Sequence, residues 1–558
     1  MKLISVLLNL FLIIALGTSA QSPSILWQHT IGGSDNDSLT SLSVTADGGF
    51  IACGVSKSPA GFNKSQNPVN ASLDYWVVKF DVNGNITWDK TFGGSGIENA
   101  PVITQTSDGG YLVNGSSQSD SSANKTENAI NRSFDFWAIK IDKNGNIQWD
   151  NTIGGIQYES AAAVADVSSG FMLAGIAHSG AGDDITQQNL GSNLWADYWL
   201  LKLKKKNGKV LWNRRFGAGN SDILKSIATT PTGNTLLAGY SYSPAEYDKT
   251  ENFIGNCDFW IIMIDPNGNK LWNKLYGSKF SDFATSIAPT SDGGYIIGGY
   301  SNSPAGFNKS GAFVGVTDYW IVKIDSLGNQ QWDKTIGGTK GDYLTSIKQT
   351  VDNGYLLSGY SSSGISGIKT EAAKGKDDIW LVKLDNTGNF LWDKTLGGDL
   401  IDKPSNVIEL SNGDLIIGAS SNSSASGDKS ENTIGGSGKN DFWIMRLTAN
   451  GGPRSKTAES NAISSVVKNS NTDPGTKSLS MHVSPNPVKT VATVAYAAQK
   501  SNSLNLIVYN SNGKVVSKSA LKATTGTHTV NLSAFANGVY YFVLTNGKSS
   551  YTQAIVKE

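Results

Sequence analysis

From Ile25 to Leu447 apolar and polar residues alternate in short runs broken by Asn-Gly and Asp-Gly pairs, with almost no stretch at helical spacing. Alternation of period two in runs of this length predicts half-buried β-strands joined by tight turns. The segments DYWLLKLKKKNGKVLWNRRFG from Asp197, DYWIVKIDSLGNQQWDKTIGG from Asp318 and DIWLVKLDNTGNFLWDKTLGG from Asp378 each read as a hairpin. A second hairpin follows in each copy, as in TSIAPTSDGGYIIGGYSNS from Thr285, where Asp292-Gly293-Gly294 supplies the positive φ that such a turn demands.

The period is set by tryptophan. Of fifteen, fourteen fall into two series of seven, Trp27, Trp88, Trp149, Trp212, Trp272, Trp332, Trp392 and Trp76, Trp137, Trp199, Trp260, Trp320, Trp380, Trp443, with steps of 60 to 63 residues. Trp195 alone stands outside. Seven copies of a four-stranded antiparallel unit predict an all-β, seven-bladed β-propeller over residues 21–448, with the tryptophans wedged between blades. An open solenoid would need polar capping repeats, and none is visible. If the Asn-Gly-Asn turns join third and fourth strands, the chain opens with a lone fourth strand at residues 25–31. It then ends with a lone third strand at 441–447, so the N-terminal strand completes the last blade, expected over residues 404–448, and hides two sheet edges. The alternative is seven blades in frame with no such clasp.

The turn-plus-tryptophan element DxxGNxxW, clearest at Asp325–Trp332 and Asp385–Trp392, resembles the repeats of pyrroloquinoline-quinone type propellers. That resemblance implies blade geometry. It does not carry the cofactor, because that family uses eight blades and often an adjacent cysteine pair, whereas this chain shows seven copies and has no such pair.

The ends speak of export. Lys2, the apolar run LISVLLNLFLIIALG and the small residues Thr18-Ser19-Ala20 form a signal peptide over residues 1–20, with no cysteine after the cleavage site. No later stretch reaches the roughly 20 apolar residues that span a bilayer. Lys plus Arg and Asp plus Glu both total 46, so no global field draws the chain to nucleic acid or an anionic membrane. Cys53 and Cys257 are far apart and show no CxxC spacing, so neither a disulfide framework nor a cysteine metal site is expected.

Strand direction places both tight turns of every copy on one rim and seven loops of roughly 12 to 20 residues on the other, where recognition commonly resides. The loops repeat an Asn/Asp-Lys-Ser/Thr element, which a structural turn also explains. One acid per copy, Asp37, Glu98, Glu159, Asp222, Asp282, Asp342 and Asp402, falls just ahead of the expected innermost strand. Seven carboxylates at a channel mouth could collect a cation such as calcium or a polyhydroxyl ligand; the alternative is a backbone cap. A second series, Asp74, Asp135, Asp197, Asp258, Asp318, Asp378 and Asp441, opens the Trp-bearing strands and carries the same two readings. Asp183, Asp184 and Trp195 mark an atypical third loop and are candidate ligand contacts. No catalytic residue is assigned, because sevenfold repetition lacks the asymmetric constellation an active site needs and His29, His178, His482 and His528 are scattered.

Residues 449–477 are polar and aperiodic, a linker. Beyond them Ser484-Pro485-Asn486-Pro487, Val508-Tyr509-Asn510, Gly513-Lys514-Val515-Val516, Leu532-Ser533, Gly538-Val539-Tyr540-Tyr541 and Lys557 resemble the type A C-terminal sorting domain of the type IX secretion system over residues 478–558. The resemblance implies an immunoglobulin-like sandwich, with Pro485, Asn486, Pro487, Gly513, Gly538, Tyr540 and Lys557 in the sorting signal. It also implies export across the outer membrane of Bacteroidota, with a translocon and a surface peptidase as partners. The function expected of the propeller is binding of a glycan or protein. A secreted hydrolase acting on polysaccharide and a structural or adhesive surface component are the competing classes.

Overall fold

The computed structural model describes residues 22–192, 194–230, 232–448, 480–484, 488–497, 504–510, 515–521, 525–536, 538–545 and 550–557. The expected signal peptide, residues 1–20, and the expected linker, residues 449–477, lie outside these. The chain divides into two compact units, one to Pro453 and one from Arg454.

The first unit is seven four-stranded antiparallel sheets, each built from strands in chain order. Blade 1 runs Asp37–Val44, Phe50–Ser56, Asp74–Phe80, Ile86–Phe92. Blades 2 to 6 repeat it from Glu98, Glu159, Asp222, Asp282 and Asp342. The seventh combines Asp402–Glu409, Leu415–Ser421 and Asp441–Leu447 with the N-terminal strand Ile25–Ile31. His29 pairs with Ile444 and Ile31 with Phe442, so the clasped frame is the one adopted. Blade 7 then packs on blade 1 through Ile416, Phe442 and Ile444 against Leu39, Leu42 and Trp76, and the ring closes. The acids of the first series are the opening residues of the innermost strands rather than lying ahead of them.

Two tryptophan positions hold neighbouring blades together in different ways. Indoles of the third strands are fully buried, and each from Trp76 to Trp380 packs against the aromatic residue that precedes the tryptophan of the previous blade. Tyr198 on Trp260, for instance, has ring centroids 5.0 Å apart. Fourth-strand indoles instead reach across to the glycine of the next blade's turn. A Cβ on Gly84 would lie 2.7 Å from Trp27, and one on Gly328 3.1 Å from Trp272. Those glycines also hold φ of +85° and +82°. Glycine thus meets two demands there, a left-handed backbone and an absent side chain.

The second unit packs two sheets on one core. Ser480–Ser484, Val491–Ala497 and Thr525–Asn531 form the first, and Val515–Leu521, Leu504–Asn510, Gly538–Thr545 and Ser550–Lys557 the second. Val494, Leu506, Val508, Phe542 and Leu544 fill the space between them, making a β-sandwich. Among the described residues the helical content is two 3-10 turns, Val69–Ala71 and Ile130–Arg132, and no helix is long and apolar enough to cross a membrane.

Candidate functional site

Seven loops, at residues 57–73, 118–134, 178–196, 242–257, 302–317, 362–377 and 422–440, join second to third strands on the rim opposite the tight turns. The predicted acids form the base on which they stand. Every carboxylate of the first series is fully buried. Asp37 accepts hydrogen bonds from Gly33 N at 2.7 Å and Ser58 Oγ at 2.9 Å. Asp222, Asp282, Asp342 and Asp402 repeat that pattern with Ser243, Ser303, Ser363 and Ser423. Glu98 takes Ser117 Oγ and Ser119 Oγ, and Glu159 takes Gly155 N and Ser179 N. By these contacts the first series caps N–H and O–H donors below the surface, while Oδ1 of Asp37, Asp222, Asp282, Asp342 and Asp402 is buried without a hydrogen-bond partner. Among the described residues no group of three or more His, Cys, Asp or Glu is placed to hold a metal ion.

The second series is equally buried and caps the ends of the long loops, as when Asp258 takes Ile254 N at 2.6 Å and Asp441 takes Ile434 N at 2.6 Å. Each stands beside the first-series acid of the next blade. Burial first, and then the neighbouring carboxylate, pushes Asp135, Asp258 and Asp441 up to about 7 and Asp197 up to about 8. Backbone amides offset part of that rise. The repeated loop lysine is the nearby cation. Lys64 donates to Thr91 Oγ1 at 2.5 Å, Lys309 to Thr335 Oγ1 at 2.6 Å, and both are buried. Burial pulls the Lys64 ammonium down to about 8 against the pull of Asp37, Asp74 and Asp89. Blade 3 has Ile185 at this loop position, and Arg215 on its fourth strand supplies the charge instead, 3.7 Å from Asp197 and bonded to Ser179 O at 2.5 Å.

The asymmetry that the repeat conceals lies one residue inward. At the second position of the innermost strand and its cross-strand partner, blades 7, 1 and 2 carry Lys403 and Ser420, Ser38 and Val55, Asn99 and Ser116. In blades 4, 5 and 6 the same places hold Ile223 and Tyr240, Phe283 and Tyr300, Tyr343 and Tyr360. These rings touch in series: Tyr240 to Phe283 at 5.0 Å, Phe283 to Tyr300 at 5.0 Å, Tyr300 to Tyr343 at 5.2 Å, Tyr343 to Tyr360 at 5.0 Å. Lys403 ends the run, its ammonium 4.2 Å from the Tyr360 ring centre and 3.2 Å from Asp377. An aromatic arc thus follows almost half of the channel mouth on the loop rim, half-buried in every member. Burial lifts the Tyr360 phenol to about 12, so its hydroxyl keeps its proton as a hydrogen-bond donor.

Of the third-loop candidates, Asp183 is exposed with φ of +50° and Trp195 is 41% exposed, whereas Asp184 is tied down by accepting Gly154 N at 3.2 Å. Cys53 and Cys257 are buried free thiols, and burial lifts Cys257 to about 12. His178 lies in the loop just after its strand. In the sandwich, Tyr540 donates to Ala536 O at 2.8 Å, Gly538 opens its strand at φ +149°, and Lys557 is buried where it bridges Val488. Pro485, Asn486, Pro487 and Gly513 fall outside the described residues.

Residues 482–558 match the family model of the secretion system C-terminal sorting domain. The C-terminal unit is a type IX sorting domain. A sorting domain of this kind marks exported cargo of the type IX machinery, destined for the outer-membrane surface or the extracellular space. Relatives of the propeller are distant. An uncharacterized WD repeat-containing protein of Acanthamoeba polyphaga mimivirus is 23% identical over 175 residues, 25% of this chain and 12% of its own. Regulatory protein FlaEY of Caulobacter vibrioides is 23% identical over 349 residues, 56% of this chain and 34% of its own. This chain therefore spans well under two thirds of either relative. Among solved structures, a protein of unknown function from Dyadobacter fermentans is 11% identical, covering 77% of this chain and 99% of its own at a TM-score of 0.39.

Proposed function

We propose that the propeller is a carbohydrate-binding module, displayed outside the cell, whose recognition face is the loop rim over blades 4 to 6. The aromatic arc carries this reading. It breaks the sevenfold repeat where a rigid scaffold meets solvent, and it places ring faces and phenol hydroxyls side by side at the channel mouth. Sugar rings present apolar C–H faces edged by hydroxyls, and a few convergent polar groups on an aromatic surface are the chemistry that matches them. The sorting domain supplies the route out, and its removal by a surface peptidase within residues 449–477 completes the pathway.

A glycan array probed with the full chain tests the reading. Binding is expected, and Phe283→Ala with Tyr343→Ala should weaken it at least tenfold without shifting the melting temperature by more than a few degrees. A blank array would overturn it, and cleavage products accumulating from the bound sugar would favour the hydrolase instead.

A further inference from the structure

At one position in all seven long loops the backbone is left-handed: Phe62, Ala123, Asp183, Tyr247, Phe307, Gly367 and Gly427, with φ between +49° and +59°. Blades 6 and 7 use glycine, which adopts that conformation without strain. Blades 1, 4 and 5 place a large aromatic residue there, a real outlier for a bulky side chain. Those side chains are not packed inward, for Phe62 is 74% exposed, Tyr247 64% and Phe307 78%. Neither local backbone preference nor burial accounts for aromatic residues at these tips.

The tips are also rigid. The residue after each aromatic docks on the connection between blades: Asn63 N donates to Gly32 O at 3.2 Å while Gly32 N donates to Asn63 Oδ1 at 3.2 Å. Asn308 makes the same exchange with Gly277, and Asp248 with Gly217. The following lysine is buried beneath them in each case. In a closed ring of seven, blade 1 stands three steps from both blade 4 and blade 5, so Phe62 faces the Tyr247 and Phe307 pair across the channel mouth, about 150° away around the ring.

Resting on the carbohydrate reading above, we infer that Phe62, Tyr247 and Phe307 are outer stacking platforms for an extended polysaccharide laid across the rim, with the aromatic arc between them as its inner contact. A protein partner would call for one contiguous apolar patch. Phe62 is instead a lone ring across the mouth from the other two, flanked in its loop by Ser58, Pro59, Gly61 and Asn63, and a single sugar unit can stack on a single ring. Fixed tips lower the ordering cost of binding a flexible chain.

The test replaces the three aromatics by the residue their backbone prefers, Phe62→Gly, Tyr247→Gly and Phe307→Gly, in the full chain. Soluble xylan, laminarin, alginate and pectin are the probes, each paired with its own trisaccharide fragment. The triple variant should lose tenfold or more in affinity for the polymer that the parent binds, keep its affinity for the fragment, and melt at or above the parent's temperature, because strain has been relieved. Unchanged polymer affinity, or a clear drop in melting temperature, overturns the inference. If Phe283→Ala with Tyr343→Ala leaves all binding intact while the glycine variant loses the polymer, the platforms stand and the arc falls. If the parent binds none of the four polymers, both readings fall.

Discussion

Trp443 donates its indole N–H to Gln28 Oε1 at 2.9 Å, joining residues 415 positions apart. In blades 1, 2, 5 and 6 the same indole bonds an aspartate of its own blade's fourth strand, as Trp76 bonds Asp89 at 2.9 Å. The N-terminal strand therefore supplies both the missing backbone ladder and the missing acceptor. Gln28→Leu should leave a buried donor unpaired and cost about 1–3 kcal/mol in urea unfolding. Deleting residues 22–31 should do more, exposing a sheet edge and producing aggregates in light scattering. A monomeric deletion variant with unchanged stability would show that the clasp does not hold the ring.

Asp258 and Gly277 make a second test. A Cβ on Gly277 would stand 1.7 Å from Asp258 Oδ1, a contact that cannot exist without movement of a buried carboxylate. Gly277→Ala should destabilise by about 2 kcal/mol or more, in the range of overpacked cores. Adding Asp258→Ala should recover part of the loss by clearing the space, and a double variant as unstable as the sum of both would refute the steric account.

Blade 3 predicts a rescue. Arg215→Thr removes the cation beside Asp197 and Glu159 and should cost several kcal/mol, since it leaves buried carboxylates without their charge partner. Adding Ile185→Lys rebuilds the arrangement of the other blades and should restore at least half of the lost stability by denaturant melts. No restoration would mean that the arginine acts through packing alone.

The joints also fix a pH dependence. Burial holds Asp135, Asp258 and Asp441 at about 7, and Glu98 and Asp197 at about 8, well above the ordinary carboxyl range. Facing them are Glu159 and Lys125, Asp282 and Lys249, Asp37 and Lys429, Asp74, and Asp222 and Arg215 respectively. The folded chain keeps these protons where the unfolded chain has released them, so their stabilisation is full below the unfolded carboxyl pKa and is lost as pH rises through about 7 to 8. Lys64, Lys125 and Lys369, held down to about 8, work the other way and return stability above that value. Melting temperature should fall from pH 5 to pH 8. A flat or rising profile over that interval would show the joints to be ionised throughout.

Much of the architecture was legible because its signals are local. Asn-Gly turns, period-two alternation and the tryptophan interval each depend on residues within one copy, and the odd strand at each end pointed to the clasp that the pairing of residues 25–31 with 441–447 then shows. The acid series was visible too, though only its burial against backbone and serine donors showed its members as caps. The arc was missed because Tyr240, Phe283, Tyr300, Tyr343 and Tyr360 are dispersed over three copies, where attention to what recurs passes over what differs. Ile185 and Arg215 carry no joint signal along the chain, and only the fold sets them at one joint.

Chain pattern alone pointed to the number of blades, their frame and the closing strand, since hydrogen-bonded sheets with apolar faces admit few arrangements of seven equal units, while the sorting domain was legible only through its resemblance to a family. Tertiary structure decided which acids are buried, which aromatics meet and which loop tips stay in solvent. Those outcomes depend on how neighbouring sheets stack and where each backbone turns left-handed, and stacking brings together residues that no interval along the chain relates.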